Sequence, residues 1–313
     1  MALAFTFPGQ GSQAVGMGQA LADAFASARD VFGEVDEALG QNLRRLMSEG
    51  PIEDLTLTEN AQPAIMACSI AAMRVLKDEF DVDVSAAKFV AGHSLGEYSA
   101  LCATGALALP DAARLLKLRG QSMQKAVPVG EGAMAALLGA DQAQAEAAVT
   151  AGSAHGVVTI ANDNAPGQIV ISGAKAAVEA ALEAAKAEGV RKAMLLPVSA
   201  PFHCPMMQPA ADAMAAALQD ASIAAPSVPV VTNVSAEAVT DPEAIRSQLV
   251  EQVTGKVRWR ESVDWMHAEG VERFAEAGAK VLVTMLKRHI REAEGVALVA
   301  PADLEAFAAT VKG

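Results

Sequence analysis

Lys88-Phe-Val-Ala-Gly-His-Ser-Leu-Gly-Glu97 is the stretch that most narrowly limits how this chain can fold. The apolar run 89–91 predicts a buried strand; Gly92-His93-Ser94-Leu95-Gly96 follows, and from Tyr98 to Leu107 apolar residues return at helical spacing. A strand that enters a helix through Gly-x-Ser-x-Gly turns sharply, with the serine in a strained backbone conformation. The flanking glycines remove β-carbons that would strike the adjoining strand and helix. Ser94 then presents its hydroxyl at the first turn of a helix, where free N–H groups and the dipole favour an oxyanion. That is the placement of an acyl-accepting nucleophile; a Gly/Ser turn that merely caps a helix is the plainer alternative.

With 313 residues, the chain has room for one large core and a smaller unit. More than half of it is apolar, yet no apolar run reaches the roughly 18 to 20 residues of a membrane span. Met1-Ala-Leu-Ala-Phe-Thr-Phe7 lacks a basic start and reads as a first strand, not a leader. Cys68, Cys102 and Cys204 are scattered, so neither a disulfide framework nor a zinc or other metal site is expected, and a reducing cytoplasm fits. A net charge of −13 excludes the basic surface that binding to nucleic acid demands.

Along the chain, Leu3 to Phe7 predicts a strand, then a Pro8-Gly9-Gln10-Gly11-Ser12-Gln13 loop and a helix from about Met17. Gly9-x-Gly11-x-x-Ala14 formally matches a dinucleotide fingerprint, but residues 19–50 hold helical periodicity where that unit needs a second strand and an acid. The loop is therefore either a plain connection or a glycine-permitted turn that brings the Gln10 backbone close to another group. A helix from Asn60 to Phe80 buries Ile65, Ala72, Met73 and Leu76; another begins at Leu109-Pro110-Asp111 and carries Arg114, Lys117 and Arg119, cations whose plain reading is a solvated face. Residues 129–198 predict strand, helix, strand, strand, helix, strand, with Asn162-Asp-Asn-Ala-Pro-Gly167 as the central turn. This βαββαβ order is that of a ferredoxin-like domain. Ser199-Ala-Pro-Phe-His203-Cys-Pro205 is a Pro-bracketed loop before a helix at Met207 to Leu218; a strand at Val228 to Asn233 and alternating helices and strands complete an α/β chain.

A serine hydroxyl needs a base, and imidazole suits neutral pH. Of the five histidines, His93 adjoins the serine and points away from it, His155 lies in the small unit, and His267 and His289 sit on amphipathic helices. His203, in the loop returning from the small unit, is the candidate base. No acid stands near it in sequence, which counts mildly against an Asp-based triad; a backbone carbonyl can accept its other ring N–H and fix the tautomer equally well. Cys204 is rejected as a nucleophile because adjacent side chains diverge and nothing nearby lowers its pKa.

Six stretches in order, Phe7-Pro-Gly-Gln-Gly-Ser-Gln13, Gly92-His-Ser-Leu-Gly-Glu97, Arg119-Gly120, Ala161-Asn-Asp-Asn-Ala-Pro-Gly-Gln168, Ser199-Ala-Pro-Phe-His203 and Val250-Glu-Gln252, resemble the malonyl-CoA:acyl-carrier-protein transacylases of bacterial fatty-acid synthesis. The resemblance implies an α/β-hydrolase-like domain of residues 1–128 and 199–313 with residues 129–198 as a ferredoxin-like insert. It implies Ser94 as the acylated nucleophile, His203 as base, the Gln252 carbonyl as the group that orients His203, and the Gln10 and Leu95 N–H groups as the oxyanion hole. Arg119 is similar to the arginine that holds the malonyl carboxylate, a contact acetyl-CoA cannot make. Leu95 and Phe202 resemble malonyl-selective members, where a bulky side chain crowds an α-methyl branch; a methyl is worth roughly 1 to 3 kcal/mol.

The implied substrates are malonyl-CoA and acyl carrier protein, with no separate cofactor, no nucleic acid and no membrane, and with the chain as a monomer. Carrier proteins of this family are acidic, so basic residues are expected at the mouth of the site: Arg191 and Lys192 in the insert, and Lys287, Arg288 and Arg291 near the end. A serine thioesterase or other hydrolase, a polyketide or malonate-pathway acyltransferase, and a non-catalytic carrier-binding module are the competing readings.

Overall fold

A computed structural model describes residues 1–198 and 200–312; Ser199, where the expected division of the chain falls, and Gly313 lie outside the described residues. In chain order the strands are β1 (Ala2–Phe7), β2 (Phe89–Gly92), β3 (Gly132–Leu138), β4 (Val158–Ala165), β5 (Gln168–Ala174), β6 (Lys192–Leu195), β7 (Val230–Val231), β8 (Ala238–Val239), β9 (Val271–Ala277) and β10 (Glu294–Leu298). They form a six-stranded sheet in the order β10-β9-β1-β2-β7-β8 and a four-stranded sheet in the order β4-β5-β3-β6.

In the large sheet β10, β9, β1, β2 and β7 are parallel, and only β8 runs against its neighbour. Central parallel strands are covered on both faces, so they read as continuous apolar runs: five of the six β1 residues and all four of β2 are buried. Helices Gly96–Ala103 and Thr58–Asp78 pack on this sheet's strands, and helix Leu109–Ala126 packs in turn on Thr58–Asp78, extending the core through Leu116 and Met123. The small sheet is antiparallel, with helices Gln142–Gly152 and Lys175–Ala187 packed on it through alanines such as Ala145, Ala148, Ala177 and Ala181. Its strand order is the ferredoxin-like one expected from the βαββαβ pattern.

Three expected boundaries are corrected. Asn162–Ala165 is not a turn; it continues β4, with register shifts on either side of Asn162 and Asp163. The polar run stays extended because distant groups pair with it: Asp163 N–H donates to Val257 O, Asp163 accepts a forked pair from Arg260 at 2.8–3.1 Å, and Asn164 meets His93. The helix after Ser94 spans Gly96–Ala103 and stops short of Leu107. Gly105, at φ 74°, turns the chain so that its N–H and that of Ala106 bond back to Cys102 and Leu101, a Schellman end. The strand expected over 228–233 is only β7, because Thr232 accepts from Ala236 N–H as the chain turns toward β8 while Asn233 leaves the ladder for the serine turn.

That turn is built as its glycines require. A β-carbon on Gly92 would lie 1.9 Å from the Gly96 carbonyl, and one on Gly96 would lie 2.2 Å from Phe7 O. Ser94 itself sits at φ 53°. Gly96→Ala must push β1 and the turn apart, and is expected to cost roughly 3 kcal/mol of stability in urea unfolding and to abolish acylation.

Candidate active site

Ser94 stands between β2 and the Gly96–Ala103 helix, and its Oγ lies 2.8 Å from His203 Nε2. The His203 Nδ1–H donates to Gln252 O at 2.9 Å, which fixes the tautomer and leaves Nε2 as the acceptor for the serine proton. His203, at φ 57°, shares the left-handed backbone region with Ser94, so both members of the pair are held in strained positions. The two come from residues 109 positions apart.

Arg119 is 1% exposed. The solvated-face reading of this cation therefore fails. Its Nη1 donates to Gln62 Oε1 (2.9 Å), and its Nη2 donates to Ser94 Oγ (3.1 Å) and Gln252 Oε1 (2.9 Å), while Nε is buried without a partner. The guanidinium also lies 5.8 Å from the Tyr98 ring centre. Among the described residues it forms no ion pair with a carboxylate. An anion entering the site would meet a forked cation already desolvated.

Behind the serine is a polar network that sequence reasoning missed. Asn233 Oδ1 accepts from Ser94 N–H (2.7 Å), and its Nδ2 donates to Gly92 O (2.6 Å). Glu97, buried beside it, accepts from Asn233 N–H (2.9 Å) and Gln252 Nε2 (3.0 Å) through Oε2. Gln252 Nε2 also lies 3.1 Å from Ser94 O, so this one residue touches the serine, the arginine and, through its carbonyl, the histidine. An acid directly after the second turn glycine, the one charged residue of the Gly96–Ala103 helix, was the available signal.

Ser94, Leu95, Gln10, Arg119, Phe202 and His203 all line one cavity of about 750 Å³, a size ordinary for a small-molecule site. Gly9 permits the first loop to approach: a β-carbon there would lie 2.8 Å from His93 O. Among the described residues, the backbone donors outside helices and strands include His93, Gly96 and Glu97 but neither Gln10 nor Leu95. Gln252 sits behind the wall and is fully buried. None of the five expected docking cations lines the cavity. All are exposed; Lys192 pairs in register with the cavity residue Leu138, and Lys287 and Arg288 end the Leu282–His289 helix, whose Met285 lines it. His93 turns its Nε2 to Asn164 (2.8 Å) and packs near Trp259. Cys204 is buried, donates to Pro201 O, and has its thiol pushed up by burial, so it is no nucleophile.

Burial, with the Arg119 charge adding to it, pushes His203 down to about 3. A base is ready only when unprotonated, and a lowered pKa extends that condition to lower pH. Acyl-enzyme formation on Ser94 is therefore expected to hold its rate well below 6.5, the ordinary imidazole value, when followed by quenched flow across a pH series.

A turn-borne serine, an imidazole oriented by a carbonyl, and a buried arginine on a cavity wall define a serine-dependent acyl-transfer enzyme or hydrolase. The acyl transferase domain model matches residues 4–304, and the chain belongs to that family. It is 44% identical over 304 residues to the malonyl CoA-acyl carrier protein transacylase of Escherichia coli K12, covering 97% of each chain. It is also 44% identical over 312 residues to that of Bacillus subtilis, covering 99% of this chain and 97% of the other. The crystal structure of the acyl-carrier-protein-S-malonyltransferase from Bartonella henselae superposes with a TM-score of 0.98 at 50% identity, covering 100% of both chains.

Proposed function

We propose that the protein moves a malonyl group from malonyl-CoA to the phosphopantetheine thiol of acyl carrier protein through an ester on Ser94, and so supplies fatty-acid synthesis. The observation that carries the reading is Arg119: a buried guanidinium with no carboxylate partner among the described residues, 3.1 Å from the nucleophile, suits an acyl group that ends in a carboxylate. The identity to transacylases over 97% of the chain supports the thiol as acceptor.

In the first half-reaction the malonyl carboxylate rests on Arg119, His203 takes the Ser94 proton, and the hydroxyl attacks the thioester. The tetrahedral oxyanion is held by the Gln10 and Leu95 N–H groups, neither of which donates to a loop backbone acceptor among the described residues. His203 returns the proton to the departing CoA thiolate. In the second half-reaction His203 takes the proton of the carrier thiol, which attacks the ester, and returns it to the departing Ser94 oxygen, restoring the free hydroxyl. Phe202 and Leu95, on the cavity wall, crowd a branched acyl group. The residues 129–198 act as an inserted unit bearing part of the wall, and Arg191, Lys192, Lys287, Arg288 and Arg291 attract the acidic carrier. One chain supplies the serine, the histidine and the arginine, which supports the reading of a monomer.

The test is product analysis with labelled malonyl-CoA and holo carrier protein. Label on the carrier thiol is the expected product; label released as free malonate, at the same rate with or without carrier, would instead make the protein a hydrolase.

A further inference from the structure

Glu97 is 1% exposed and uses only one of its oxygens. Oε2 takes both hydrogen bonds, from Asn233 N–H and Gln252 Nε2, while Oε1 is buried without a partner. The Gln252 amide lies between this carboxyl and Arg119, since its Oε1 accepts from the guanidinium. The site thus holds one buried cation and one buried acid with a single amide between them. An uncompensated buried charge is costly, so in the free enzyme an ionised Glu97 is the counter-charge of Arg119.

A malonyl carboxylate brought against Arg119 makes a second anion in the same dry space. We propose that Glu97 takes up a proton when the malonyl group binds, so that one carboxylate replaces the other as the partner charge of Arg119. This rests on the reading of Arg119 as the malonyl clamp. The proton goes to Oε1, which leaves both hydrogen bonds to Oε2 in place and the turn around Ser94 unmoved. Malonate, as the more acidic group in direct contact with the guanidinium, keeps its charge.

The other ionisable groups facing this space do not compete. Arg119, from the Leu109–Ala126 helix, stays charged although burial lowers its pKa; Tyr98, beside Glu97 on its own helix, is pushed up to about 12 and stays neutral. His203 and His93 are both lowered by burial and stay neutral. Burial has raised Glu97 to about 7 against the pull of its hydrogen bonds and of Arg119, so the free carboxyl is mostly ionised just above neutrality and ready to accept.

Isothermal titration calorimetry of the Ser94→Ala protein with malonyl-CoA, in buffers of different ionisation enthalpy near about pH 8, reads the uptake directly. The expected result is close to one proton per malonyl-CoA bound, and none attributable to CoA alone, which carries the same phosphates. Malonyl-CoA affinity then weakens about tenfold per pH unit above about 7 and is flat below it, with CoA flat throughout once its phosphates are ionised. Adding Glu97→Gln is expected to remove both the uptake and the slope; should that variant not fold, the contrast between malonyl-CoA and CoA still decides. Equal uptake with both ligands, or uptake that survives Glu97→Gln, would overturn the proposal. The underlying reading fails separately, if adding Arg119→Ala leaves malonyl-CoA affinity unchanged.

Discussion

Replacing His203 with Ala is expected to lower the rate constant for malonylation of Ser94 by roughly 10⁴-fold, with little change in the affinity for malonyl-CoA. The serine hydroxyl is protonated at neutral pH, and attack on the thioester requires its proton to leave as the new bond forms. Among the described residues, His203 Nε2, at 2.8 Å, is the base placed to take it, and its Nδ1 is committed to Gln252 O. Arg119 Nη2 donates to the same oxygen and so stabilises developing negative charge, but it has no lone pair with which to accept a proton. The variant keeps that donor and the acyl-binding wall, so binding survives while the chemical step fails. Rapid-quench measurement of the acyl-enzyme separates the two; a fall confined to affinity would mean that His203 is not the base.

The second large effect falls on acyl selection. Arg119→Ala is expected to lower kcat/KM for malonyl-CoA by about 10³-fold while that for acetyl-CoA changes little or rises, so that most of the preference for malonyl disappears. The guanidinium is already stripped of water and held by Gln62, Gln252 and Ser94, so it has no desolvation left to undergo when the substrate arrives. An acetyl group offers no oxygen to accept from the fork and forgoes the paired contact a carboxylate makes there, and that lost contact is what separates the two substrates. Arg119→Lys restores the charge but not the fork, and should recover only part of the loss. Competition between the two thioesters, read by the mass of the acyl-enzyme, checks the ratio. An unchanged ratio in Arg119→Ala would place the carboxylate elsewhere.

Much of this site was legible because its strongest constraints are local. The turn at Ser94 announces itself through Gly92 and Gly96, which a β-carbon would drive into backbone less than 2.5 Å away. The choice of His203 followed from elimination among few histidines, and the roles of Arg119 and the Gln252 carbonyl from resemblance. What stayed hidden depends on contacts across the chain: Asn233 and Gln252 reach the serine turn from 139 and 158 positions away, and no periodicity encodes that. The misreading of Asn162-Asp-Asn164 as a turn has the same origin. These residues favour turns when their side chains must satisfy nearby backbone. Here Arg260 and His93 satisfy Asp163 and Asn164 instead, and the strand continues.

Intact mass of the protein after brief exposure to malonyl-CoA, followed by peptide mapping, tests the central claim most directly. One malonyl group per chain, located on the peptide that carries Ser94, absent from Ser94→Ala and lost when holo carrier protein is added, is the predicted result. An adduct on Cys204 or any other residue, or turnover without a malonyl-Ser94 ester, would contradict it.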